Sequence, residues 1–315
     1  MIIIESLLTQ ILHIGLMIVA APTVAGALDW LDARLSGRSG PPILSPWRDL
    51  VRLSRKTPAT VDSVSVMSQL APSLGLGATL SAAALVPSFT LGMALSPLAD
   101  VLVIVSLLTV ARIAAGLAAL DSGAALPGLA AQTASARAVL AEPALMLAVV
   151  TLALIGGSFN LDLIIGQQRE GLLLPAAASA VALTAMLALV FAEASAPEGG
   201  APGASATAGA LDQMASGTDL AISQMTGWLR RLVWIDLIGG LFLPVGMANA
   251  DNGPLAWLIG LAVWGVKLGA FVLGLSTIQT MLGRVPRHGL HDLVGVAALL
   301  ALLATIMVLA STGTA

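Results

Sequence analysis

Long apolar segments constrain this chain more than any other feature of its sequence. Eight of them are long enough to cross a bilayer, since a spanning helix needs about 20 predominantly apolar residues. They cover residues 3–28, 68–88, 98–119, 138–158, 172–193, 228–248, 254–275 and 292–311. None alternates apolar and polar residues as the strands of a membrane β-barrel do. The sequence therefore predicts an all-α membrane protein, a bundle of eight transmembrane helices that forms one integral membrane domain over residues 1–315.

The composition excludes several other classes of protein. Of the 315 residues, 57% are hydrophobic and 10% are charged, whereas an ordinary soluble domain has about 25% charged residues. The net charge of −3 provides no basic surface for nucleic acid. Without cysteine, the chain has no thiolate nucleophile and no Cys ligand for an iron–sulfur cluster. No phosphate-binding loop or nucleophile elbow occurs, so we expect no catalytic site and no metal site in this chain alone.

The basic residues predict the orientation, because Lys and Arg concentrate in cytoplasmic loops. With the N-terminus outside, 12 of the 14 Lys and Arg residues fall on the inner side. These twelve are Arg34, Arg38, Arg48, Arg52, Arg55, Lys56, Arg112, Arg137, Arg230, Arg231, Arg284 and Arg287. Of the other two, Arg169 falls on the outer side and Lys267 lies within a span. Both termini are therefore expected outside, with the longer connections 29–67, 120–137 and 194–227 in the cytoplasm.

The first inner loop contains a short amphipathic helix, which we expect over about residues 43–56. A rigid turn, Gly40-Pro41-Pro42, precedes it. The helix then combines an apolar stripe of Trp47, Leu50, Val51 and Leu53 with the charged residues Arg48, Asp49, Arg52, Arg55 and Lys56. Two interpretations remain open: a basic anchor in the headgroup layer, or a docking platform for a peripheral subunit.

Ionisable residues in or beside the spans mark candidate functional positions, because a charge at the centre of a span costs about 2.5–3.5 kcal/mol. The candidates for a hydrated proton path are Asp121, Glu142, Glu193, Asp236 and Lys267. The alternative is structural: Glu142 or Asp121 would form a helix-packing ion pair with Arg112 or Arg137.

Several of these segments resemble one known family. Gly40-Pro41-Pro42, followed by Trp47-Arg48-Asp49-Leu50, is similar to the large membrane subunit of formate hydrogenlyase and of energy-converting NiFe hydrogenases. Both in turn are similar to the complex I membrane subunit that borders the quinone site. Further matching segments are Ala111-Arg112, Leu120-Asp121-Ser122-Gly123, Glu142-Pro143-Ala144-Leu145 and Gly157-Ser158-Phe159-Asn160-Leu161, with weaker matches at Ala192-Glu193-Ala194 and Arg284-Val285-Pro286.

The resemblance implies a bacterial inner-membrane subunit that anchors a peripheral redox arm and links it to proton or ion translocation. Antiporter-like membrane subunits and hydrogenase-like large and small peripheral subunits would be its partners. Fe-S clusters and a NiFe centre would belong to those partners, with no cofactor in this chain, and quinone binding is left open. A self-contained secondary ion transporter and a structural scaffold that has lost coupling remain as alternatives.

The sequence departs from the family in its acidic residues. Gln132-Thr133-Ala134 stand where the family carries Ser-Arg-Glu, and Gly274 and Gln279 stand where it carries a glutamate and a lysine. Residues 195–207 replace an acidic loop with a low-complexity stretch rich in Gly, Ala and Pro. Two interpretations remain open: a divergent member whose coupling route differs from that of relatives, or a subunit of a complex that kept the membrane arm while its redox module changed or was lost.

Overall fold

The structure is a computed structural model that describes residues 2–57, 65–170, 177–194, 215–281 and 287–313. Within those residues it contains ten α-helices and two short 3-10 helices, Ser96–Leu98 and Ala250–Asn252. In chain order the α-helices are α1 (Ile2–Leu35), α2 (Ser45–Ser54), α3 (Val66–Leu85), α4 (Val101–Asp121), α5 (Ala125–Gly156), α6 (Leu161–Arg169), α7 (Ala177–Ala194), α8 (Gly217–Phe242), α9 (Gly253–Met281) and α10 (Arg287–Gly313).

The long helices confirm the all-α membrane architecture. Five segments are long and apolar enough to cross a membrane: Ile4–Leu35, Val101–Asp121, Pro127–Gly156, Ala250–Met281 and Asp292–Ser311. The expected count of eight spans is not confirmed, because α3, α7 and α8 do not meet both conditions in the part of the chain that the structure describes. In α8, for example, Arg230, Arg231 and Asp236 interrupt the apolar stretch.

Helical structure extends further into the connections than expected. Residues 120–137 were expected to form a loop, but α5 begins at Ala125, after a turn in which Gly123 has a φ of +63°. Arg137 therefore lies on a helix. The alanine-rich sequence explains this difference, since Ala has the highest helix propensity. Likewise α8 begins at Gly217, within the expected loop 194–227, and residues 195–214 of that loop lie outside the described residues.

Small residues allow these helices to pack closely, as they do in membrane proteins generally. The alanines with no exposed surface include Ala118, Ala144, Ala148, Ala182, Ala185, Ala297, Ala301 and Ala304. Through such contacts α10 packs against both α5 and α7. A hydrogen bond of 2.9 Å between the hydroxyls of Thr151 and Thr305 adds a polar contact between α5 and α10.

Hydrogen bonds join the connecting segments at the end of the bundle where α1 begins. Residues Thr90–Leu91 and Ala248–Asn249 pair as two short parallel strands, which join the segments that follow α3 and α8. The carboxylate of Asp162 in α6 accepts hydrogen bonds from the Gly92 amide at 2.8 Å and from the Ser96 hydroxyl at 2.5 Å. The loops therefore fix the ends of the helices that carry the candidate sites.

Candidate functional site

The helix α2 lies against α1 and α8, close to the end of α1. Gly26 of α1 makes this contact possible, because a Cβ at that position would overlap the carbonyl oxygen of Ile43. Gly40 packs equally closely, since a Cβ there would lie 2.8 Å from the Cβ of Ala33. The Gly-Pro-Pro turn thus holds α2 against α1 by contact between backbones.

The amphipathic character expected of α2 is present, with one difference. Pro46 and Leu53 are buried, whereas Arg48 and Arg52 on the helix are exposed, as are Arg55 and Lys56 directly after its end at Ser54. Val51, which we expected in the apolar stripe, is 49% exposed. Asp49 and Arg52 form an ion pair at 2.9 Å on this surface. We call the exposed face of residues 47–56 the basic face of α2.

Arg112 of α4 and Glu142 of α5 form an ion pair, with Nη1 3.4 Å from Oε1. The Arg112 side chain is only 11% exposed and that of Glu142 is 31% exposed. They line a cleft of about 370 Å³ between four helices, which we call the Arg112 cleft. Its other walls are apolar and include Leu108, Leu145, Leu189 and Trp234. The sequence left open which of Arg112 and Arg137 would form an ion pair with Glu142 or Asp121. In the structure, the ion pair is between Arg112 and Glu142.

One further polar group lies in the wall of the Arg112 cleft, and another lies on α7 one helical turn away from it. The indole Nε1 of Trp234 is buried and has no hydrogen-bond partner among the described residues. Glu193 follows Leu189 by four residues on α7, which is one helical turn. Its side chain, like that of Arg137, lies outside the described side chains.

Asp236 and Lys267 both line a second, smaller cavity, which we call the Asp236 cavity. Asp236 is only 5% exposed, and its Oδ1 accepts a hydrogen bond of 2.8 Å from Nε1 of Trp264. Lys267 lies on α9, one turn after Trp264, and interacts electrostatically with the carboxylate. Since Trp234 and Asp236 are two residues apart on α8, they point to different sides of that helix. α8 therefore separates the Arg112 cleft from the Asp236 cavity.

Asp121 lies apart from both cavities. Its carboxylate Oδ2 accepts hydrogen bonds from the Ser65 amide at 2.9 Å and from the Ser68 hydroxyl at 2.5 Å. The exposed Asp121 side chain thus connects the last residue of α4 to the start of α3. An anion is favourable there, because the first N–H groups of a helix lack partners within the helix.

Two polar groups were not recognised in the sequence. His13 is completely buried between the Ser88 hydroxyl at 2.8 Å and the Ala83 carbonyl at 2.9 Å. Asp29 and Asp32 of α1 interact electrostatically with Arg231 of α8, and the Asp32 carboxylate also interacts with the Ser276 hydroxyl of α9. The partners of these groups lie far away along the chain, so that sequence spacing gave no signal for either group.

The polar groups therefore form separate sites within an apolar bundle. Each cavity contains one carboxylate and one basic side chain, an arrangement that can hold charge and water inside a membrane protein. Among the described residues, no three His, Asp or Glu side chains are grouped so that they could hold a metal ion.

Comparison with known proteins identifies the family. A sequence model of the NADH dehydrogenase family matches residues 8–310. The chain is 27% identical over 287 residues to formate hydrogenlyase subunit 4 of Escherichia coli (strain K12), covering 89% of this chain and 91% of that protein. It is 29% identical over 249 residues to hydrogenase-4 component C of the same strain, covering 74% of each protein.

A solved structure has the same fold. A chain of the membrane-bound sulfane sulfur reductase, an archaeal respiratory membrane complex, matches with a TM-score of 0.72 and 21% sequence identity. The match covers 95% of this chain and 99% of that one. Because the sequence match spans nearly its whole length, the chain belongs to the NADH dehydrogenase family, as a homologue of formate hydrogenlyase subunit 4 and hydrogenase-4 component C.

Proposed function

We propose that this chain is the integral membrane subunit of a complex-I-like assembly of the hydrogenase type. It would anchor the peripheral redox arm and link that arm to the translocation of protons or another ion. The observation that carries this proposal is the family membership over residues 8–310, together with relatives named as formate hydrogenlyase and hydrogenase components.

The topology that we propose has eight spans, with both termini on the outer side of a bacterial inner membrane. Besides the five candidate spans, α3, α7 and α8 have 20, 18 and 26 residues, so that they are long enough to cross most or all of the hydrocarbon core. The asymmetric distribution of the basic residues supports this orientation.

The basic face of α2 is the proposed docking surface for the peripheral arm. Two of its four exposed cations, Arg48 and Arg52, lie on α2, and the other two, Arg55 and Lys56, follow it directly. Close backbone contacts hold the turn before this helix against α1. A rigid, positively charged surface favours binding of a partner with complementary negative charge. Together with the turn at Gly40, Pro41 and Pro42, and with Trp47 and Asp49, these residues form the docking segment.

The proposed proton path uses the two cavities on either side of α8. Glu142 in the Arg112 cleft and Asp236 with Lys267 in the Asp236 cavity provide ionisable groups within the bundle. Glu193 lies one turn beyond the Arg112 cleft on α7, and Asp121 would be an entry group at the end of α4. Because α8 contributes to both cavities, a small movement of α8 would change both at once.

The redox centres would belong to partner subunits. The chain contains no cysteine, so it has no Cys ligand for an Fe-S cluster or a NiFe centre. Hydrogenase-like large and small subunits on the peripheral side would carry these groups, and antiporter-like subunits would lie beside the chain in the membrane.

Charge reversal on α2 tests the docking role. The double variant Arg48→Glu/Arg52→Glu should release the peripheral subunits when the complex is purified from membranes in mild detergent. Arg169→Glu is the matched control, because Arg169 is exposed but lies in α6, on the opposite side in the proposed topology. Retention of the peripheral subunits by the double variant would contradict docking on α2.

Substitution of the carboxylates tests the proton path. In the assembled complex in liposomes, Glu142→Gln and Asp236→Asn should each reduce proton movement per electron transferred, while the subunits remain assembled. If proton movement and redox rate are both unchanged, the chain acts as a scaffold. If the purified chain alone moves ions in liposomes, the self-contained transporter is the correct interpretation.

A further inference from the structure

The His13–Ser88 pair has a defined direction of hydrogen bonding. The Ala83 carbonyl can only accept a hydrogen bond, so neutral His13 carries its proton on Nε2. Its Nδ1 is then an acceptor, and the Ser88 hydroxyl donates to it at 2.8 Å. With its one proton used in this way, Ser88 offers only its oxygen lone pairs to other groups.

Ser88 also lines the Asp236 cavity, together with Asp236 and Lys267. Oδ2 of Asp236 is buried and has no hydrogen-bond partner among the described residues. Lys267 lines the same cavity, but no direct ion pair joins it to the carboxylate in the part of the chain that the structure describes. Leaving a buried polar atom without a hydrogen-bond partner is costly, so Oδ2 of Asp236 requires a further partner.

We propose that the Asp236 cavity is a binding site for internal water, held by Ser88, Asp236 and Lys267. The space open to the centre of a water-sized sphere is about 10 Å³, at the lower end of the roughly 10–15 Å³ that one water molecule needs on this measure, so the cavity has room for a single water. Internal waters typically make about three hydrogen bonds, which matches the three polar groups present.

The donors and acceptors of this site are complementary to one water molecule. Such a water donates one hydrogen to Oδ2 of Asp236 and the other to the Ser88 oxygen, and it accepts a hydrogen bond from the Lys267 ammonium. His13 is a positioning residue, because it fixes the Ser88 hydroxyl as an acceptor towards the cavity. Asp236 and Lys267 then form a pair separated by solvent rather than a direct ion pair. The inference is independent of proton translocation, since this water would solvate the pair in a scaffold as well.

Radiolytic labelling tests this site in the full-length chain in lipid nanodiscs. An X-ray pulse converts bound water into hydroxyl radicals, and mass spectrometry then measures oxidation of Trp264, which lines the cavity. Gly239→Ala adds a methyl group to the cavity wall, where its Cβ would lie 3.4 Å from the Phe271 ring, an ordinary contact. Because this methyl group takes up space that water would fill, we expect oxidation of Trp264 to fall by about threefold or more. Gly265→Ala is the matched control, because a Cβ there meets no atom within 4 Å.

A second pair of variants removes a polar group instead of adding volume. Ser88→Ala should also lower the oxidation of Trp264, whereas Ser81→Ala, on the exposed face of α3, should leave it unchanged. A wild-type chain without oxidation at Trp264, or equal oxidation in wild type, Gly239→Ala and Ser88→Ala, would overturn the water site. The labelling experiment does not measure proton movement, so its result is independent of the test of the proton path.

Discussion

Gly26 of α1 and Ile43 are in contact through their backbones, with no space for a side chain at residue 26. This contact fixes the turn that precedes α2, and with it the position of the basic face. The proposed docking segment is therefore part of the packed bundle, while its basic side chains Arg48, Arg52, Arg55 and Lys56 remain exposed.

Gly26→Ala should displace α2. The added methyl group would overlap the Ile43 carbonyl, so the turn must move, at a cost of about 1–3 kcal/mol for overpacking. Because the chain has no native cysteine, spin labels at Ser54→Cys on α2 and Ser73→Cys on α3 would report this movement through the distance between them. Gly15→Ala, on the same helix but with no atom within 4 Å of its Cβ, is the control. An unchanged distance distribution in Gly26→Ala would show that the contact does not position α2.

The Arg112–Glu142 pair should make a coupled contribution to stability. Arg112→Ala and Glu142→Ala each remove a charge that faces its opposite in a largely apolar cleft, at about 1–2 kcal/mol each, since Glu142 is partly exposed. The double variant should cost less than the sum of the single variants, because the interaction is lost only once. Circular dichroism during unfolding in a series of detergent mixtures measures this cycle. Strictly additive losses would mean that the two side chains do not interact in the membrane.

Asp121 should stabilise the start of α3 through its bonds to Ser65 and Ser68. Asp121→Ala removes both acceptor bonds, so amide hydrogen exchange over residues 66–69 should become faster than in the wild type. Asp121→Asn keeps one side-chain oxygen as an acceptor and should give an intermediate rate. If both variants exchange at the wild-type rate, Asp121 does not cap α3, and its role lies elsewhere.

Local patterns in the sequence predicted a short helix at α2 and five of the eight expected spans, because apolar runs and turn residues act over neighbouring positions. They did not predict the length of α5 or of α8, since residues 125–137 and 217–227 are helical although they lie outside the long apolar runs. The His13–Ser88 contact joins residues 75 positions apart. Such pairings depend on how helices pack against one another, which a single sequence does not encode in its spacing.

The candidate path illustrates the same limit. Sequence reasoning selected Glu142, Asp236 and Lys267 as charges within the membrane, and the structure places each of them on a cavity wall. The proton path itself stays a prediction, and α8 lies between the two cavities that these residues line. The hydrogen-bond partners of each side chain determine what it can bind. Trp264 donates to one oxygen of Asp236, and the other oxygen can still accept a hydrogen bond.

Trp264→Phe should therefore destabilise the protein more than Trp257→Phe. Both indoles donate one hydrogen bond, Trp264 to the Asp236 carboxylate at 2.8 Å and Trp257 to the Ala250 carbonyl at 3.2 Å. A bond to a charged acceptor contributes about 1.5–3 kcal/mol, compared with about 1 kcal/mol for a neutral one. Both tryptophans are 7% exposed, so the loss of apolar contact is similar in the two variants. The midpoint of unfolding in detergent measures the difference, and an equal or reversed order would indicate that Asp236 is uncharged or obtains its hydrogen bonds from another donor.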